Sequence, residues 1–490
     1  MADEETYKPG SVVIESITLT NFDGSKTEDI SQFVREINIY EDIFQCQIFG
    51  EVSIADTKEL IEFFPITGEE TIEIRFRVPT RDIKNAIDFK KMRVYKVGDR
   101  SAGGKNLGKI QTYKLYFFSP EFITNLNTRV SRSFNMMSAS YIAGLVLEDY
   151  IKTGKEFDVE ETEGTLKTVI PSWNPFRTIS WLACNRAINK EKQSDFLFFE
   201  SSDKNNGPKY SFKSISTLMK QEPTFEMNFE PQNLLNNKGD IDITTFNKNV
   251  KDFSFDSHGS VLDNTMKGQY NQTWIYHDPL RKSFRISKPN HTEDYLSVGV
   301  DTNIGTTGKK FYGQQAENEA NPMQFVRMPG GVDAFPSNIS SSKSMDNDKT
   351  KTSESRPLRK DIKYIAKREK SDELETTTLI SDHAHMRTFK IQQMNNFKLI
   401  LDDVPGTDEI QLGKMLKFKK PHITFDSEQV SNKTGRFDDR FVSGNYLVTR
   451  LRHRIFFEPT KPDRTYFLYI ELIKDSFTEA VSHKEIKGDK

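Results

Sequence analysis

Between Glu70 and Val78 apolar and polar residues alternate without a break: Ile72, Ile74, Phe76 and Val78 fall on one side, Glu73, Arg75 and Arg77 on the other. A period of two is the mark of a half-buried strand. The stretches 11–19, 31–40, 44–54 and 110–119 alternate more loosely and read the same way; in the third, Cys46, Ile48 and Gly50 share a face and Phe49 takes the other. A short helix from Thr57 to Phe63, capped by Asp56 and stopped by Pro65, interrupts them, and Asp99 to Gly108 reads as a polar excursion. Strand after strand with one small helix predicts an antiparallel barrel or sandwich.

The period changes over 120–215. Ser138 stands as the cap of a helix running to about Lys152, with Ile142, Leu145, Val146 and Tyr150 on one stripe and Gly154 just past its end. A second helix begins at Asn174, a good N-cap, and Pro175, whose missing N–H is harmless at the first helical position. Phe176, Ile179, Leu182 and Ala183 line one side of it. Two aromatic runs follow, Phe196–Phe199 and Tyr210–Ile215, separated by a polar turn over 201–208. Residues 120–215 read as an α+β insertion, and its unit from Ser172 to Ile215 is built for packing, with none of the residues of a catalyst.

Strands return with Asp252–Phe255, Gly268–Tyr276 and Lys282–Ile286, then the pattern dissolves from about 292 to 380 in segments rich in Ser, Asn, Asp and Lys. A helix through Met386, Phe389 and Met394 leads into Phe397–Leu401, and two long strands, Gly444–Phe456 and Arg464–Ile473, precede a polar tail. The expected fold is mainly β with α+β insertions. Its expected organisation is a first strand block at 11–119 with 216–245, a second at 246–299 with 381–476, insertions at 120–215 and 300–380, and a tail at 477–490.

At about 150 residues per domain, 490 residues predict three or four domains rather than one core. Lys plus Arg number 69 and Asp plus Glu 71, a net charge of −2, which argues against a dedicated nucleic-acid binder. The two cysteines, Cys46 and Cys184, both flanked by apolar residues, form no disulfide framework and are expected as buried free thiols. The acidic start lacks the apolar core of a signal peptide, and no apolar run approaches the ~20 residues of a membrane helix. A soluble protein made in the cytosol is the expectation, with no stable membrane association.

Searching for chemistry yields little. Gly305-Thr-Thr-Gly-Lys-Lys310 lacks the spacing of a phosphate loop. His383 and His385, two apart, diverge on the helix predicted there, so no metal site is expected. Asp402-Asp403 and Asp438-Asp439 sit in predicted turns and read as solvated, although a hydrolase dyad assembled by tertiary geometry stays open as an alternative. The one basic feature is Arg450, Arg452 and Arg454, which share a face in a strand. Three readings stand for them: pairing with acids of a neighbouring subunit, facing nucleic acid in a channel, or plain solvation. No catalytic residue and no cofactor are expected.

Several stretches resemble the central baseplate hub protein of contractile-tailed bacteriophages, the counterpart of the first half of type VI secretion spike proteins. They are Trp173–Ala183 with Phe196–Glu200, then Asp263–Phe284, then Ser443–His453 with Glu471–Ser476. Residues 300–380 match no part of that pattern, and no β-helical spike repeat follows the last strands. The resemblance implies two tail-tube-like antiparallel β-barrel domains per chain and a homotrimer closing a pseudo-sixfold ring. It implies a structural, non-enzymatic subunit of the virion tail baseplate, assembled in the host cytoplasm. The implied partners are the tail tube protein, the central spike protein and other baseplate proteins, with transient passage of DNA at genome ejection. In that setting Arg450, Arg452 and Arg454 become intersubunit or lumen contacts. A tail-associated cell-wall hydrolase, or a receptor-binding module suggested by the aromatic content, is the alternative.

Overall fold

The alternation of Thr71–Arg77 is realised as a strand whose Ile72, Ile74 and Phe76 are fully buried. The computed structural model describes residues 10–79, 86–102, 110–191, 194–203, 207–229, 248–255, 274–278, 283–287, 387, 391, 394, 397–420, 439, 442–457 and 464–474. The first run of elements is β1 (Ser11–Thr20), β2 (Thr27–Asp29), β3 (Val34–Asp42), β4 (Phe49–Asp56), α1 (Leu60–Phe63), β5 (Thr71–Arg77), β6 (Ile87–Ala102) and β7 (Gln111–Phe118). The second is α2 (Glu121–Asn127), β8 (Val130–Met137), α3 (Ala139–Val146), a π-helical turn (Leu147–Ile151), β9 (Phe157–Val159), β10 (Leu166–Trp173), α4 (Pro175–Asn185), β11 (Phe196–Asp203), β12 (Gly207–Ser214) and α5 (Ile215–Met219). The third is β13 (Phe225–Phe229), β14 (Asn249–Val250), β15 (Asp252–Phe255), β16 (Trp274–Asp278), β17 (Ser283–Ser287), β18 (Leu399–Pro405), β19 (Met415–Lys419), β20 (Gly444–Phe457) and β21 (Arg464–Ile473). The chain is mainly β, with small helical insertions, as its alternation predicts.

One large sheet organises the described residues; it closes on itself through the hairpin β20–β21, and the same hairpin carries a second run of strands whose two ends the chain itself joins. In the first circuit the order is β20-β3-β4-β7-β6-β5-β1-β21, and the β20–β21 pairing returns it to its start. In the second, β13, β19, β20, β21, β18 and β15 follow one another, and Lys251 alone separates β15 from β14, the neighbour of β13. The chain thus steps across that gap covalently. The hairpin is long enough to serve both circuits: Leu447 to Gly444 pairs with β19, whereas Arg450–Phe456 pairs with β3. Likewise Thr465 and Arg464 pair with β1, and Phe467 to Leu472 with β18. A single apolar core runs through both circuits, from Ile74, Phe89 and Leu115 to Met227, Leu401 and Phe418.

Pairing in this sheet is antiparallel except at β13, which lies parallel to β14 and β19. The placement of β13 differs from the expectation for 216–245. Phe225 and Met227 face the core beside Leu416 and Phe418 of the second circuit, not the first. Strand β6 was missed in the sequence because its alternation is broken. Its register shifts against both neighbours, and Lys91 and Asp99 adopt φ of 52° and 55°. Each such bulge reverses the phase of the side chains that follow. The expected helix at Thr57 is shorter, since Asp56 Oδ1 accepts the Lys58 N–H at 2.9 Å and only Leu60–Phe63 is helical.

The residues between β7 and β13 build a second, separate core from Ile142, Val146, Phe176, Ile179, Phe196 and Phe212 among others. Ser138 caps α3 as expected, its Oγ accepting the Tyr141 N–H at 3.3 Å. That helix widens into the π turn and ends at Lys152, in the left-handed region at φ 56°, ahead of Gly154. Asn174 holds the N-cap of α4 with Pro175 at its first position as expected, but the side chain that accepts a helical N–H comes from elsewhere. Asn125 Oδ1 accepts the Phe176 N–H at 2.8 Å, while Asn174 Nδ2 donates to the Asn125 carbonyl at 2.7 Å. Of the segment expected as a helix at 382–394, Arg387, Ile391 and Met394 are helical and Met394 is buried. Residues 300–380, His383, His385, Asp438 and the tail lie outside the described residues.

Candidate functional site: a charged seam on the shared hairpin

Arg450, Arg452 and Arg454 do share a face, and a bulge sets its phase. The register between β20 and β21 shifts at Thr449, whose Oγ1 donates to the Glu471 carbonyl at 3.0 Å. Beyond it Leu451, His453 and Ile455 point into the core and the three arginines point out. Because β20 pairs with β3 on one side and β21 on the other, each guanidinium finds partners within its own chain. Arg450 Nε donates to Asp42 Oδ2 at 2.8 Å and its Nη1 to Glu471 Oε2 at 3.1 Å. Arg452 Nε donates to Asn38 Oδ1 at 3.0 Å, and the guanidinium lies 5.6 Å and 5.0 Å from the ring centres of Tyr40 and Tyr469. Arg454 Nε donates to Glu36 Oε1 at 2.9 Å and its Nη1 to the Tyr469 hydroxyl at 3.1 Å.

The polar row of β3 therefore runs alongside the arginine row of β20: Asp42, Tyr40 and Asn38 lie opposite Arg450, Arg452 and Arg454, and the bonds of Arg452 and Arg454 reach one position further along, to Asn38 and Glu36. Lys398 extends the seam, bonding Glu471 Oε2 at 3.0 Å, and Tyr469 extends it through Asp403 Oδ1 at 2.7 Å. Partial burial by itself would lower the Arg450 pKa, yet Asp42 and Glu471 outweigh it and hold the group above its ordinary value. Arg454 behaves alike, the Tyr469 and Glu36 contacts overcoming burial. Of the three, Arg450 keeps the most surface, its side chain 49% exposed.

Directly beneath this face runs a buried polar chain. The His453 Nδ1 lies 2.7 Å from the Tyr466 hydroxyl and its Nε2 lies 3.0 Å from Glu41 Oε1. A carboxylate only accepts, so the ring donates from Nε2 to Glu41, while Nδ1 shares the second bond with the Tyr466 hydroxyl. Glu41 also accepts the Ser202 N–H at 2.9 Å and the Ser202 hydroxyl at 2.5 Å, which ties β11 to the first circuit. A second carboxylate completes that attachment. Glu200 accepts from Ser119 Oγ at 2.6 Å, Lys155 Nζ at 2.6 Å and the Ile48 N–H at 3.1 Å. Complete burial raises the Glu200 pKa, and Lys155, although desolvated, is pushed up by Glu200 and Glu121.

Sequence reasoning found the arginines and missed what faces them. The alternation of Glu36, Asn38, Tyr40 and Asp42 was legible, but strand partners 400 residues apart are not encoded in local pattern. Among the described residues no group of histidine, cysteine and acidic side chains could hold a metal ion. Asp402 lies opposite Asp252, and burial with the charges of Asp252 and Asp403 raises its pKa. Asp403 accepts from Tyr469, and Asp439 accepts from Lys420 Nζ at 2.8 Å.

No family model matches the chain, and no curated protein does. Solved structures do. The chain is similar to a tail protein from Neisseria meningitidis MC58, at 8% identity over 94% of this chain and 96% of that one, with a TM-score of 0.47. It is similar to the 43 kDa tail protein of prophage MuSo2 from Shewanella oneidensis, at 10% identity, 94% and 98% coverage and a TM-score of 0.44. It is also similar to an Escherichia coli component of the type VI secretion system, itself described as structurally similar to the T4 bacteriophage tail proteins gp27 and gp5. There the identity is 7%, the coverage 94% and 76%, and the TM-score 0.41.

Proposed function

We propose that this chain is a structural baseplate hub subunit of a phage contractile tail, and not an enzyme. The observation that carries the reading is the pair of strand circuits built on one hairpin. Three such chains would present six related units around an axis, the number needed to adapt a sixfold tail tube to a threefold central spike. The segments resembling hub proteins support it: Trp173–Ala183 forms most of α4, and Ser443–His453 most of β20. Closing circuits also removes the open strand edges that invite uncontrolled association. In this reading the homotrimer contacts the tube, the spike and other baseplate proteins, and DNA crosses its centre at ejection. Arg450, the most exposed of the three arginines, then faces a neighbouring subunit or the lumen.

The test is native mass spectrometry and negative-stain imaging of the full chain, alone and mixed with the tube and spike proteins of the same particle. Three copies forming a ring of six similar lobes are expected. A monomer under every condition, without a central opening, overturns the proposal.

A further inference from the structure

The loop between β3 and β4 brings Cys46 against the inserted layer. Its Sγ lies 3.3 Å from Ser180 Oγ and 3.7 Å from the Phe198 carbonyl. Ser180 and Cys184 are both on α4, one turn apart, and so lie on the same side of it. The chain has two cysteines in 490 residues, and this contact sets both at one junction although 138 positions separate them (184 − 46). Both thiols are free, and Cys184 is among the groups that raise the Cys46 thiol. The junction is the place where the two cores meet, with Cys46 packing on the core of the inserted layer. The buried bonds of Glu200 to Ile48 and Ser119 hold the same loop in place.

We propose that Cys46 and Cys184 are a redox-modification site, at which a small-molecule disulfide converts the two thiols into one covalent tie between the first circuit and α4. The steps balance by thiol–disulfide exchange. The Cys184 thiolate attacks the small disulfide, forms a mixed disulfide and releases one small thiol. Cys46 then gives up its proton and its sulfur attacks the Cys184 sulfur, displacing the second small thiol. Two protein thiols are oxidised and one small disulfide is reduced to two thiols. Ser180 turns its hydroxyl away as Cys46 moves along the helix face. Burial pushes the Cys46 thiol up to about 11, so closure quickens as pH rises toward that value. A tie of this kind would form on passage from a reducing cytosol to an oxidising exterior.

The test uses the full-length protein incubated natively with oxidised glutathione, quenched with acid, and analysed by thiol titration and peptide mapping. Expected is loss of both free thiols, one linked peptide pair containing Cys46 and Cys184 within a single chain, and a mass lower by two hydrogen atoms. Dithiothreitol restores both thiols, and Cys184→Ser leaves Cys46 unlinked. Two persistent free thiols, separate glutathione adducts on each cysteine, or a link between chains each overturn the proposal.

Discussion

Replacing His453 by Ala tests whether the buried chain under the arginine face holds the shared hairpin. His453 is 3% exposed, Glu41 1% and Tyr466 0%, so water cannot stand in for the ring without opening the core. The substitution strands the Tyr466 hydroxyl, at a cost of roughly 1–3 kcal/mol for an unsatisfied buried donor. It also removes one of the three bonds described at Glu41, and a bond to a charged group contributes about 1.5–3 kcal/mol. The total, about 2.5–6 kcal/mol before any collapse of the cavity, is a large part of the ~5–15 kcal/mol that usually stabilises a domain. Tyr466→Phe removes the hydroxyl and leaves His453 paired with Glu41, so it should cost about 1–2 kcal/mol. In the double variant the two losses overlap, and the cycle should show a coupling of about 1 kcal/mol. The assay is equilibrium urea denaturation followed by tryptophan fluorescence and far-ultraviolet circular dichroism. A His453→Ala change below about 1 kcal/mol, or strictly additive variants, would refute the reasoning, since both require a chain that does not act as a unit.

Three further outcomes are expected. Glu200 has its pKa raised above the ordinary 4.5 by burial, so its contribution is largest below that value and is lost as pH rises through the raised one; Glu200→Gln should flatten this fall in denaturation midpoints measured across pH, and parallel profiles would contradict it. At Gly50 an added Cβ would meet the Asn38 carbonyl and the Phe117 ring, each at 2.5 Å, so Gly50→Ala should destabilise by about 1–3 kcal/mol in thermal unfolding, and an unchanged midpoint would count against the close strand approach. Glu36→Gln breaks only a partly exposed ion pair with Arg454, both side chains about one-third exposed, and should cost under ~1 kcal/mol by denaturation; a larger loss would show that the outer seam carries the stability assigned to the buried chain.

Particular elements show how far local pattern reaches. The strand at Thr71–Arg77 and the final strand at Arg464–Ile473 match their alternation, because each keeps one face on the core along its length. Strand β6 does not, since positive-φ residues at Lys91 and Asp99 interrupt it and its register shifts. Asn174 stands at the N-cap of α4 as local pattern predicts, yet the side chain that accepts the Phe176 N–H belongs to Asn125, 51 positions earlier. The arginine row was legible as a face, and its neutralisation by Glu36, Asp42 and Glu471 was not.

Sequence alone determined that this chain is mainly β, that a differently built layer interrupts it after residue 119, and that its final hairpin carries three arginines on one side. Those features follow from side-chain period and capping, which act over a few residues. Only the tertiary structure decided that the hairpin is shared by two circuits, that β13 joins the second of them, and that buried Glu41 and Glu200 fasten the inserted layer to the first. Such pairings join residues up to hundreds of positions apart, and their energy comes from burying apolar surface and satisfying polar groups together, which no local window contains.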